Sequence, residues 1–298
     1  MRAALITELG RPPQVGEAPE PDGETLEVLA APINPIDVAV GAGRFYGGHP
    51  PLPYVPGCEC VGRDDSGRVV WTFGGGLGVA RIGTIAERSA LGQVVAEVPE
   101  GADPALAAAL GIAGIAGFMP VAWRAPVRED DHVLVLGATG VVGQVALQTA
   151  KLLGAAHVVA AGRDQRGLER ALELGADEAV QLDGDFGRPT YVVDALWSEP
   201  LERAAEAAAP GARIVHIGQS AGPTAMLASS HVRGKQLELY GFSDFAVPAD
   251  DLVAHYRRLV RHAVAGEIRL DIEAVPLERV GEVWGTPGKR VVVPGNAR

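Results

Sequence analysis

The segment Gly137-Ala138-Thr139-Gly140-Val141-Val142-Gly143 spaces three glycines three residues apart. It follows a short apolar run, His132–Leu136, and opens a helix-like stretch that reaches Leu153. A strand that turns directly into a helix presents unpaired N–H groups and a partial positive charge, which is what a pyrophosphate needs. Gly140 lets the backbone approach the phosphates, and Gly143 lets helix and strand pack closely. Thr139, Gly140, Val141, Val142 and Gly143 are therefore the expected phosphate cradle. The spacing is G-x-x-G-x-x-G and not G-x-G-x-x-G. By its glycines alone it also reads as an ordinary strand-to-helix turn, and the flanking strand and helix favour the nucleotide.

The next apolar run, His157–Ala161, ends in Gly162-Arg163. Sites for NAD carry an acid at the end of this second strand to bond the ribose hydroxyls. No acid stands there. A carboxylate would repel a 2′-phosphate, whereas a guanidinium binds one bidentately. Arg163, assisted by Arg166, therefore points to NADPH. The local alternative is a solvated Arg163 beside Asp164, a helix cap.

The elements that must position these groups follow a clear rhythm. From about Asp131, short apolar runs alternate with helical stretches: Tyr191–Leu196, Arg213–Gly218 and Gln236–Gly241 as strands, Glu199–Ala209 and Ala249–Ala265 as helices. Alternation of this kind means a parallel sheet covered on both faces. The first 118 residues are instead rich in Gly and Pro, with strands expected at Ala3–Thr7, Thr25–Ala31, Arg68–Phe73 and Thr84–Ser89. Pro104–Gly117 is expected as one helix capped by Asp103. Ile272–Pro294 returns to short strands. The fold class is α/β: a β-rich domain over 1–118, completed by 266–298, and a doubly wound domain over 119–265.

Composition narrows the partners. Lys plus Arg total 26 against 37 acidic residues, a net charge of −11, which disfavours nucleic acid and anionic membrane. No run of about 18 apolar residues exists. The N-terminus has no signal-peptide pattern. The two cysteines, Cys58 and Cys60, stand too close for an ordinary structural disulfide. A cytoplasmic protein is expected.

Several segments together resemble one family. They are MRAALITELG, AAPINPIDVAVGAG, YVPGCECVG, VPEGADPALAAALGIAGIAGF, VLVLGATGVVGQVALQTAKLLGA, ARIVHIGQSAG, LELYGFS and AVPLERVGEVWGTPGKRVVV. Their order and spacing resemble the medium-chain dehydrogenase/reductase superfamily, in its zinc-free quinone oxidoreductase (zeta-crystallin-like) branch. The resemblance implies a GroES-like catalytic domain with an inserted Rossmann domain, the cofactor in the cleft, and a homodimer. It adds Gly218, Gln219, Phe242 and Ser243 along the cofactor toward its nicotinamide. It brings Asn34, Asp37 and Tyr46 to the cleft as candidate catalytic residues.

Zinc-containing relatives have Cys where this chain has Asn34, and Gly-His-Glu where it has Gly57-Cys58-Glu59. Cys58, Glu59 and His49 make a ligand set only on paper, with no recognised spacing, so no metal is expected. Without zinc, hydride transfer suits quinones and conjugated enones, whose charge moves to a distant oxygen. Tyr46 can donate a proton there. Asn34 and Asp37 also read as a turn fixed by Asn-Pro-Ile-Asp, and Tyr46 as packing over its loop. Ile115-Ala116 stand where many members have a polar Thr, and the loops after Val61 and Trp71 are short. An enoyl-thioester reductase and a non-catalytic NADPH-binding sensor or structural protein are the alternatives.

Overall fold

The computed structural model describes residues 1–295. In chain order the elements begin β1 (Arg2–Leu5), β2 (Gln14–Glu17), β3 (Thr25–Pro32), α1 (Pro35–Gly41), β4 (Glu59–Arg63), β5 (Val69–Phe73), β6 (Arg88–Ala90), β7 (Val94–Glu97), α2 (Pro104–Ala109) and α3 (Ile112–Met119). Next come β8 (His132–Leu136), α4 (Val141–Leu152), β9 (His157–Gly162), α5 (Gln165–Glu173), β10 (Glu178–Gln181), β11 (Tyr191–Asp194), α6 (Ser198–Ala207), β12 (Arg213–His216), α7 (Ser229–Gly234) and β13 (Glu238–Gly241). The chain closes with α8 (Ala249–Val264), β14 (Ile272–Pro276), α9 (Val280–Val283) and β15 (Lys289–Val293).

The chain divides into two compact units. The first holds Met1–Ala113, Val247–Val264 and the segment from Asp271; the second holds Gly114–Ala246 and Ala265–Leu270. These bounds differ from the expected ones. The segment of α8 was expected with the nucleotide domain and belongs to the first unit. Its Tyr256 ring lies 4.4 Å from that of Trp71 and its hydroxyl donates to the Ala107 carbonyl. Leu252, Leu259 and Val260 are buried beside it. An amphipathic helix goes where its apolar stripe finds a partner, which sequence order alone does not reveal.

The first unit is built on a mixed sheet in the order β14-β15-β3-β4-β5-β7, with β6 on β3. Leu26, Val28, Cys60, Val70, Val275 and Val292 fill its core. The helix expected over Pro104–Gly117 is two. Asp103 caps α2 as expected, accepting from the Leu106 N–H, but the helix ends at Leu110. A Cβ on Gly111 would lie 1.8 Å from Glu59 Oε2, so the backbone passes hard against a buried carboxylate. The Ile112 N–H then donates to that same oxygen at 2.8 Å.

The second unit is a six-stranded parallel sheet in the order β10-β9-β8-β11-β12-β13. This is the doubly wound order, and it reverses between β8 and β11. Buried Leu134, Leu136, Val159, Val192 and Ile214 pack on Leu201, Ala204 and Ala205 of α6. Register places Leu136 opposite Ala161 and Asp194, Asp194 opposite His216, and His216 opposite Gly241. The carboxyl ends of five strands thus share one edge, where ligands bind in open α/β sheets.

Candidate functional site

That edge gathers most of the residues expected to hold a cofactor. The glycine turn leaves β8, and Gly140 is the exposed N-cap of the 12-residue α4, whose first residues are Val141 and Val142. Gly143 is required by packing. A Cβ there would lie 2.4 Å from the Gly137 carbonyl oxygen and 2.5 Å from Ala138 Cα. The Thr139 carbonyl accepts from Gln144 Nε2, which braces the turn against the helix. Gly162 ends β9 and Arg163 follows it; Gly218 and Gln219 follow β12, and Phe242 and Ser243 follow β13. Phe242 is buried and its N–H donates to the His216 carbonyl, while Ser243 is exposed.

Beside the edge lies a cavity of about 320 Å³, lined by Arg163, Asp183, Leu196, Ser198, Glu199, Arg203 and Ser220 among others. The Arg163 and Arg166 side chains are exposed and make no hydrogen bond or ion pair among the described residues. Only Arg163 lines the cavity; Arg166 lies in the first turn of α5. Asp164 is a helix cap, accepting from the Gly167 N–H at 2.6 Å.

Asp194 and His216 were not anticipated. Asp194 is fully buried, accepts the N–H groups of Leu196 and Trp197, and meets His216 Nδ1 at 2.8 Å. The Trp197 ring covers His216 at 4.0 Å, and the Trp197 backbone is held at φ 62, ψ −165, a region that costs about 1–3 kcal/mol for a side chain. An Asp at a strand end was visible in sequence; its partner on the next strand was not.

In the first unit, Asn34 and Asp37 come together as expected, but in a buried cluster. Each is 1% exposed. Asn34 is the N-cap of α1, and Asp37 reaches back to accept its N–H at 2.7 Å and that of Cys58 at 2.9 Å. Asn34 Nδ2 donates to Glu59 Oε1, while Lys289 Nζ donates to Asn34 Oδ1 at 2.6 Å. Glu59 Oε2 accepts from Trp71 Nε1 and the Ile112 N–H. Burial pushes the Asp37 and Glu59 carboxyls up from their ordinary pKa values, against hydrogen bonds and the Lys289 charge. Burial pushes Lys289 down, against Glu59 and Asp37. Tyr46 stays apart from this cluster. It is 95% exposed, with its ring against Phe45 at 4.5 Å.

These positions do not fit a zinc ion. Glu59 already accepts from three donors and Asp37 from two N–H groups, so the oxygens a metal would need are taken. Among the described residues no group of three or more His, Cys, Asp and Glu side chains is arranged to hold a metal.

A doubly wound unit and a β-rich unit in one chain is an arrangement that solved oxidoreductases share. The family described as zinc-binding dehydrogenase matches residues 141–251. Mouse (Mus musculus) quinone oxidoreductase-like protein 2 is 28% identical over 273 residues, 83% of this chain and 78% of that protein. One component of the phenolphthiocerol/phthiocerol polyketide synthase of Mycobacterium tuberculosis is 28% identical over 223 residues, 67% of this chain, and the match spans only 10% of that much longer protein. The yhdH oxidoreductase of Salmonella enterica, solved with NADP, shares the fold at a TM-score of 0.85 and 19% identity, covering 99% of this chain and 100% of that one. An NAD-dependent alcohol dehydrogenase shares it at 0.82 and 26%, with the same coverage. The chain is thus similar to quinone oxidoreductase-like proteins and shares the fold of solved dehydrogenases and reductases.

Proposed function

We propose that this chain is an oxidoreductase that uses NADPH to reduce a quinone or an α,β-unsaturated carbonyl without zinc. The observation that carries the reading is Arg163. A guanidinium without a partner among the described residues follows β9, where an NAD site would carry an acid, and lines the cavity at the sheet edge. Of the solved relatives above, one holds NADP and the other is NAD-dependent, so the choice rests on Arg163 and not on the fold.

The dinucleotide, when bound, supplies the hydride. The N-terminus of α4 would meet its phosphates with N–H groups that the helix leaves unpaired. Gly143 keeps that helix tight on the sheet, and Arg163, with Arg166 nearby, would take the 2′-phosphate. Gly218, Gln219, Phe242 and Ser243, which follow β12 and β13, would hold the nicotinamide half. Asn34 and Asp37 fix the entry to α1 as positioning residues. Tyr46 is the expected side chain left free to meet a ligand, with solvent as the competing proton source. A conjugated acceptor carries its developing charge on an oxygen remote from the carbon that takes the hydride, so it needs no metal ion to polarise it.

The match to a polyketide synthase favours a second reading, reduction of an enoyl thioester. A homodimer is proposed through β13, the outer strand of the parallel sheet, on which Leu239 is exposed. The test of function is steady-state oxidation of NADPH with quinones, simple enones and enoyl thioesters, with and without a chelator. Turnover of quinones or enones that survives chelation is expected. Turnover of thioesters alone moves the assignment to the second reading. Binding of NADPH without turnover of any acceptor leaves a nucleotide-binding protein and removes the enzyme.

A further inference from the structure

Arg203 lies on α6, 40 residues beyond Arg163, and lines the same cavity. Its Nη2 donates to the Gly184 carbonyl at 2.8 Å, and its guanidinium stands 5.4 Å from the Phe186 ring centroid. Its Nε is buried without a hydrogen-bond partner among the described residues. Two acids, Asp183 and Glu199, line the cavity too, yet neither forms an ion pair with Arg203 or Arg163 among the described residues. The hydroxyls of Ser198 and Ser220 complete the polar lining.

We infer that Arg203 is a specificity-determining residue, the second guanidinium that selects a ribose 2′-phosphate in this cavity. The inference rests on the NADPH reading and extends it to a residue on a different element. A cation in a half-enclosed cavity costs free energy unless an anion joins it. Arg203 is already fixed by a carbonyl and an aromatic face, so little side-chain entropy remains to be lost when an oxyanion arrives. Arg163 alone is an exposed side chain, and a lone surface ion pair is weak. A phosphate monoester bridging the two guanidinium groups satisfies both and outweighs the repulsion from Asp183 and Glu199. The second cation thereby turns a general anion attraction into selection for a nucleotide carrying the additional phosphate.

The experiment titrates the full chain and its Arg203→Met and Arg203→Lys variants with NADPH, NADH, 2′,5′-ADP and 5′-AMP. Arg203→Met is expected to weaken NADPH and 2′,5′-ADP by about tenfold or more. NADH and 5′-AMP are expected to bind as before, which also shows that the variant is folded. Arg203→Lys keeps the charge but loses the fork, and is expected to recover part of the loss. Equal weakening of all four ligands, or no change in any, overturns the inference. If the unaltered chain binds NADH and 5′-AMP tighter than their 2′-phosphorylated counterparts, Asp183 and Glu199 dominate, and the NADPH reading falls together with this one. If the unaltered chain prefers NADPH and only Arg163→Ala removes the preference, the NADPH reading stands and Arg203 is excluded.

Discussion

The ammonium of Lys289 donates at 2.6 Å to the amide oxygen of Asn34, a residue 255 positions earlier in the chain. This contact ties β15 to the entry of α1 and turns the Asn34 amide so that its nitrogen faces Glu59. Lys289 is 4% exposed and Glu59 fully buried. Removing the cation leaves the buried Asn34 amide oxygen without its donor and takes away a charge that favours both buried carboxylates. Lys289→Met is expected to destabilise the chain by about 1–3 kcal/mol, the usual cost of leaving a buried acceptor without its donor. Urea denaturation measures it. Lys289→Met combined with Glu59→Gln is expected to lose less than the two single changes summed, because both residues bond the same Asn34 amide.

The same cluster sets a pH dependence. Asp37 and Glu59 are held above their ordinary values, chiefly by burial, so the folded state binds protons that the unfolded state releases. The stability this adds is present below the ordinary values of 3.8 and 4.5 and is lost as pH rises through the folded-state values. Stability against urea is therefore expected to fall over that interval. Lys289 has the opposite sign, since its lowered value makes stability recover as pH rises toward its ordinary 10.5. Asp37→Asn is expected to flatten the acidic limb. An unchanged slope in that variant would remove Asp37 as a source.

Gly143→Ala tests the cradle by packing. Its added carbon meets the Gly137 oxygen and Ala138 Cα, both backbone atoms that cannot swing aside. A loss of about 1–3 kcal/mol is expected from the overpacking, with dinucleotide affinity falling as α4 shifts off the sheet. Gly140→Ala is the contrast, since the nearest atom to its added carbon is the Gly137 oxygen at 3.6 Å. It is expected to change affinity with little change in stability. Equal stability losses in the two variants would contradict the packing argument.

Tyr46→Phe separates chemistry from structure. The side chain is nearly fully exposed, so stability is expected to stay within about 0.5 kcal/mol. An obligatory proton donor contributes about a hundredfold or more in rate. The exposed phenol competes with water, so turnover of an enone is expected to fall by much less. A hundredfold fall with unchanged stability would make Tyr46 the donor.

The legible parts were those governed by short-range pattern. The glycine turn could be read because helix, strand and turn each impose their own residue spacing over a few positions. The caps at Asp103 and Asp164 could be read because a side chain bonds an N–H three residues on. The break at Gly111 could not, because the carboxylate that forces it comes from Glu59, on a strand remote in sequence. The same holds for α8, whose apolar stripe announces burial but not against which unit.

The sequence by itself determined the alternation that builds a parallel sheet, the turn at its first strand, and the missing acid after its second, since each is a local rule of backbone geometry or charge. Tertiary structure decided which side chains meet: Lys289 with Asn34, Asp194 with His216, and Arg203 in one cavity with Arg163. Such meetings depend on the register and stacking of whole elements, and no spacing along the chain encodes them.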